Sequence, residues 1–212
     1  MNDKYNQCDM ENLSLNQKIL SVPAGSLIMA SDFKKAASYE AVRQALSRLA
    51  KKEKIVSVIC GIYLKPRKGE DCSNAQANPL ELARKIAKKN SWTIFPAEEM
   101  ALRAMGLQAS GTTDIKFASS GPNREYDYAG VKIVFHHRSN RLMDGLSETS
   151  GLLVQAIDAK GKDQMTDEDR EAIRNTLIER KAKAEKILGE TEKTYAWIYE
   201  EIRLILEKGL AL

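Results

Sequence analysis

The stretch from Ser38 to Leu64, SYEAVRQALSRLAKKEKIVSVICGIYL, restricts the possible folds more than any other part of the chain. With Val42 set at zero and about 100° added per residue, Ala45, Leu46 and Leu49 all fall within roughly 60° of it. Glu40, Gln44, Ser47 and Lys51 gather near the opposite side, with Arg43 and Arg48 on the flanks. This is an amphipathic helix with an inward apolar stripe, and Ser38 is placed to cap its N-terminus. The run Ile55 to Leu64 follows at once, β-branched, aromatic and broken by Gly61, and predicts a two-stranded ribbon.

Upstream, Ser14 to Leu20 predicts a short helix, Pro23 to Gly25 a turn and Leu27 to Met29 a brief strand. Ser31 or Asp32 is expected to cap a second short helix reaching Ala37. Three helices and then a ribbon, within residues 14–66, is the element order of a winged helix-turn-helix. Residues 1–13 are expected to form a polar tail, and 67–79, rich in Pro, Gly and polar residues, a linker.

Beyond the linker, residues 80–160 predict a small α+β domain. LELARKIAKKN is a helix, WTIF a strand and AEEMALRAMGL a helix ended by Gly106. DIKFAS and the pair REYDYAG/VKIVFHHR are strands, with Ala129 and Gly130 making the hairpin turn. A mostly apolar helix is expected from Asp144 to Asp158. Residues 161–212 are expected to form a helical pair packed on that domain, with Thr166 starting the first helix and Gly189 separating the two. The fold class is thus α+β: an N-terminal winged helix-turn-helix, a small α+β domain and C-terminal helices.

Charge placement points to a partner. Residues 31–70 carry ten Lys/Arg against four Asp/Glu, a net of +6 in a chain whose total is +4. A basic module joined to a mildly acidic remainder suits a polyanion. In a helix-turn-helix the second helix enters the major groove. Arg43 is then matched to guanine and Gln44 to adenine, while Ser47, Arg48 and Lys51 are expected at phosphates. Tyr39 lies beside them, and Lys34, Lys35 and Arg67 are expected to add contacts from flanking segments.

Elsewhere the sequence offers no catalytic constellation, and no enzymatic activity is expected. His136 and His137 are consecutive on a strand and point to opposite faces, with one expected buried and the other exposed. Glu98 and Glu99 are expected only to favour a helix N-terminus. A Mg²⁺-dependent nuclease would need Asp114, Glu125, Asp127 and Lys132 to converge. Cys8, Cys60 and Cys72 lack zinc-ligand spacing and are expected to be reduced thiols. No cofactor and no metal are expected. The polar N-terminus and the absence of a long apolar run predict a cytoplasmic location without membrane attachment.

The segments ILSVPAGSLIMASDF and SYEAVRQALSRLAKKEKIVSVICGIY resemble the N-terminal winged helix of the AbiEi-like abortive-infection antitoxins. The proline-glycine turn, the Asp-Phe pair, ALSRL and GIY carry the likeness, which extends over roughly Leu15 to Ala159. The resemblance implies a type IV toxin-antitoxin regulator that represses its own promoter by binding inverted repeats in double-stranded DNA. It also implies a functional partner, a nucleotidyltransferase-like toxin, with which no stable complex forms; any self-association is expected to be weak. Where such proteins commonly carry glycine after the third helix, this chain has Glu53; where their ribbon carries arginines, it has Val56, Ser57 and Cys60. The alternative is a protein-interaction module that keeps the winged-helix scaffold without binding DNA.

Overall fold

The computed structural model describes residues 13–59, 61–109, 111 and 114–207, so all but the last residue of the expected tail at 1–13, with Cys8, and also Cys60 lie outside them. The protein is α+β, and it divides into two compact units, 1–89 and 90–212.

In the N-terminal unit, helix α1 (Leu15–Leu20) starts at a capping box in which Ser14 and Gln17 satisfy each other's backbone N–H groups. Strand β1 (Leu27–Met29) follows as the sequence predicts. The expected second helix does not form: Ala30–Phe33 is a single 3₁₀ turn, and the Asp32 carboxylate accepts the Met29 N–H instead of capping a helix. That bond fastens the start of the turn, as in a capping box, and the run ends where the Ala36 and Ala37 N–H groups both close on the Phe33 carbonyl.

Helix α2 (Tyr39–Lys51) is capped by Ser38, whose hydroxyl accepts the Ala41 N–H. Its buried residues are Val42, Ala45, Leu46 and Leu49, the predicted stripe. They pack with Ile19, Ile28, Ala30 and Ile55 in one core. The helix ends with the Lys54 N–H on the Leu49 carbonyl and the Glu53 N–H on the Ala50 carbonyl, a Schellman closure. That closure puts Glu53 at φ 53°, where glycine is favoured.

Strands β2 (Val56–Ile59) and β3 (Ile62–Leu64) make the ribbon, and β1 adds to it in the order β1-β3-β2, antiparallel throughout. Helix α3 (Pro79–Asn90) buries Leu82, Ala83, Ile86 and Ala87. Its Lys85 pairs with Asp32 at 2.6 Å, which ties it to the 3₁₀ turn. The units divide after Lys89, so residues 67–79 lie inside the N-terminal unit, where Ala75 and Ala77 are buried.

The C-terminal unit is built on a four-stranded sheet in the order β4-β5-β7-β6. Its strands are β4 (Ile94–Pro96), β5 (Ile115–Ser119), β6 (Arg124–Tyr128) and β7 (Val131–His137). β5 and β7 are parallel, whereas β6 and β7 form the hairpin predicted at Ala129–Gly130. Because β7 lies between β5 and β6, residues 120–123 cross over its end. The crossing is fastened by the His137 N–H on Asn123 Oδ1 (2.6 Å) and by His137 Nδ1 at 3.0 Å from the Gly121 carbonyl.

Helix α4 (Glu99–Ala104) ends at Gly106, where a Cβ would sit 2.7 Å from Thr176 Oγ1 and φ is +78°. Helix α5 (Glu148–Lys160), capped by Ser147, is buried over every residue from Ser150 to Ile157. At Gly151 a Cβ would fall 2.2 Å from the Phe95 ring, so only glycine lets the sheet approach this closely. Buried Gln155 donates to the Leu142 carbonyl.

The expected C-terminal pair is three helices, α6 (Asp167–Glu179), α7 (Ala184–Thr191) and α8 (Ala196–Glu207). The break falls after Arg180, with Lys181 at φ 53° and the Ala182 N–H on the Leu177 carbonyl, while Gly189 lies inside α7. This stop brings Ala184 and Ile187 into the core that α4, α5, α6 and α8 share. No described helix is long and apolar enough to cross a membrane.

Candidate nucleic-acid interface

All nine side chains singled out from the sequence are on the surface of the N-terminal unit. Tyr39, Arg43, Gln44, Ser47, Arg48 and Lys51 are exposed on α2, Lys34 and Lys35 on the turn before it, and Arg67 just beyond β3. The inward stripe fixes this arrangement. Once Val42, Leu46 and Leu49 face the core, residues 40, 44, 47 and 51 must run as a ridge along the other side. Tyr39 is 61% exposed, a large apolar ring at the N-terminal end of that ridge.

Arg43, expected at guanine, has its guanidinium engaged within α2. Arg43 Nε donates to Glu40 Oε2 at 3.0 Å and Nη2 to Glu40 Oε1 at 2.8 Å, a two-pronged pair three residues apart. Gln44 Nε2 reaches the same carboxylate at 3.4 Å. Both assigned base-reading side chains therefore converge on Glu40, whose side chain is 57% exposed beside a 62% exposed Arg43. The Arg43 hydrogen bond holds the Glu40 carboxyl below its usual range, and Glu40 raises Arg43 in turn. Opposite charges three apart on one helix are the signal that identifies Glu40 in the sequence.

The ribbon contributes no charge from its strands: Val56, Val58 and Ile59 are half-buried and Ser57 is exposed. At the end of the ribbon Lys65 donates its ammonium to the Leu20 and Val22 carbonyls, which closes the end of α1. Cys72 is a free thiol whose Sγ donates to the Glu53 carbonyl.

In the C-terminal unit the residues weighed for chemistry are scattered. Asp114 precedes β5, and Glu125 and Asp127 lie on β6 with β7 between, about two strand spacings or roughly 10 Å away. Lys132 pairs with Glu125 at 3.6 Å. Among the described residues no group of three or more His, Cys, Asp or Glu is placed to hold a metal ion.

His136 is half-buried and His137 exposed, so neither is the buried histidine expected; both stand at the end of β7. They do point to opposite faces. His136 Nε2 is 3.6 Å from Glu98 Oε1, whereas His137 faces the Gly121 carbonyl. Glu98 does more than favour a helix end. Its carboxylate binds Lys116 at 2.5 Å, and its backbone adopts φ 50° and ψ −130°. That hydrogen bond holds the Lys116 ammonium above its usual range.

No curated protein sequence matches the chain. One family model does, over residues 14–187, from the capping serine of α1 into α7, and the chain belongs to that family of unknown function, DUF6088.

Proposed function

We propose that the N-terminal unit is a winged helix-turn-helix that binds double-stranded DNA, with α2 as the recognition helix lying in the major groove. On this reading the protein is a non-enzymatic, cytoplasmic transcriptional regulator that acts on its own promoter. The observation that carries it is the exposed ridge of α2. Arg43, Gln44, Ser47, Arg48 and Lys51 all face solvent on one side of a helix whose opposite side is fully packed. The +6 charge of residues 31–70 supports it, because attraction to phosphates supplies most non-specific affinity. The resemblance to AbiEi-like antitoxins supports the further reading as the antitoxin of a type IV system, opposing a nucleotidyltransferase-like toxin without a stable complex.

The test is fluorescence anisotropy of the full chain on a duplex from its own upstream region and on a scrambled duplex. Arg43→Ala is expected to lower affinity for the upstream duplex by about ten-fold or more and to relax the preference. Lys51→Ala is expected to weaken both duplexes alike and to reduce the salt slope by about 0.9. Absence of binding to either duplex at moderate salt, with recovery of one stoichiometric protein partner, would replace this reading with the interaction-module alternative. The uncharged strands of the ribbon are the feature that favours that alternative.

A further inference from the structure

We propose that Lys89 of α3 contacts the DNA backbone from the tip of the ribbon, supplying the cation that the ribbon's own strands lack. The inference rests on the DNA-binding reading above and adds to its site a residue from outside residues 14–66.

Gly61 stands at the turn between β2 and β3. A Cβ there would lie 3.2 Å from Lys89 Nζ and 3.5 Å from Lys89 Cε, so the end of that side chain sits on the tip. Its seat follows from how α3 is held. Lys85 and Lys89 are one turn apart and share a face of the helix. Lys85 binds Asp32 at 2.6 Å, and Asp32 in turn accepts the Met29 N–H. Met29 is paired with Ile62, the residue after Gly61. The two lysines therefore follow a line from the 3₁₀ turn to the ribbon tip, and the buried Leu82, Ala83, Ile86 and Ala87 keep the helix from rotating off it.

A helix about 10–12 Å across fills a major groove about 12 Å wide. A cation on an element beside that helix therefore meets the rim of the groove, where the phosphates are. The ribbon is such a neighbour. Tyr63 of β3 packs on the core of α2 and lies near enough to Arg43 to act on it electrostatically. The strands themselves, VSVI and IYL, bring no charge to that rim. Lys89 does, and it is exposed. An ammonium carries three N–H groups, so a contact within the protein and one with a phosphate oxygen coexist. As a point charge on a flexible stem, it positions the duplex without reading its sequence.

Lys89→Met removes the charge and keeps an aliphatic stem over Gly61. The full-length variant is compared with the unaltered chain on the upstream and scrambled duplexes over a range of salt, with thermal melts to check folding. Lys88→Met, on the adjacent exposed lysine about 100° round the helix, is the control. Lys89→Met is expected to weaken both duplexes alike, by about three- to ten-fold near 0.15 M salt, and to reduce the salt slope by about 0.9. Lys89→Arg is expected to keep the slope, and Lys88→Met to leave it unchanged. A slope that Lys89→Met does not alter, even with a loss of affinity, marks a purely structural tie and overturns the proposal while leaving DNA binding itself standing. So does an equal fall in slope for Lys88→Met, which would trace the effect to net charge and not to the ribbon tip. An unaltered chain that binds neither duplex overturns both readings.

Discussion

Helices α2 and α5 are both thirteen residues long and both begin at a capping serine, yet they stand in opposite relations to water. α2 buries one stripe of four residues and leaves a full side exposed. α5 is buried continuously from Ser150 to Ile157, including a glycine, a serine and a glutamine. A helix with one packed face has a second face free to meet a partner, whereas a helix packed all round has none. The contrast leaves α2 with the open side that the proposed DNA-binding reading requires, whereas α5 is enclosed within its own unit.

The largest expected effect tests the enclosure of α5. Gly151→Val would press three carbons into the Phe95 ring and is expected to cost more than about 3 kcal/mol, leaving no cooperative thermal transition for that unit. Ser47→Val on the exposed ridge of α2 is expected to change stability by less than about 0.5 kcal/mol. If the two variants melt alike, the distinction between the helices is lost.

Next comes Gln155→Leu, which removes the donor to the buried Leu142 carbonyl and is expected to cost about 1–3 kcal/mol in urea unfolding. The serine caps sharpen the comparison further. Ser38→Ala is expected to cost about 1 kcal/mol. Ser147→Ala is expected to exceed it, because the Ser147 hydroxyl also donates to Glu190 at 2.6 Å.

Smaller still, Glu53→Gly is expected to stabilise the N-terminal unit by up to about 1 kcal/mol by relieving the left-handed backbone. At Gly106 the same closure has Thr176 against it, so Gly106→Ala is expected to destabilise instead.

The smallest effect is with pH. Burial opposes ionisation of Asp169 and Glu190, but the hydrogen bonds of Asp169 from Lys160 and Thr166, and those of Glu190 from Ser147 and Ser150, prevail and lower both carboxyls. A carboxyl lowered in the folded state adds stability above its unfolded value, near 4, and loses it as pH falls through the folded value. The melting temperature is therefore expected to drop modestly on acidification from about pH 5 to pH 3. A flat profile there would show that these bonds add nothing.

Local chemistry was the part of the fold written plainly in the sequence. Ser14, Ser38 and Thr166 cap helices because their hydroxyls need only the next turn, and Ala129–Gly130 turns a hairpin for a similarly local reason. The left-handed backbone at Glu53 was signalled only by the glycine that the resembled family commonly carries there. The parallel pairing of β5 with β7 was not, since nothing near Ile115 indicates which distant strand will lie beside it. Nor was the stop at Lys181, where the gain is burial of Ala184 and Ile187 and no glycine or proline announces it. At the candidate interface the exposed ridge followed from periodicity. The capture of Arg43 by Glu40 follows from their spacing of three on one helix, although each charge taken singly points only to solvent.

The order of the C-terminal sheet has a bearing on how the chain is made. β7 is the last of its strands to be synthesised and the one that touches both β5 and β6. Until Val131–His137 has left the ribosome, β5 has only β4 beside it and β6 has no neighbour. The sheet therefore closes in one late event, finished when His137 fastens the crossing segment. Any shortened chain ending before that residue would expose two unmated edges to its neighbours, while residues 1–89 would already have been free to fold.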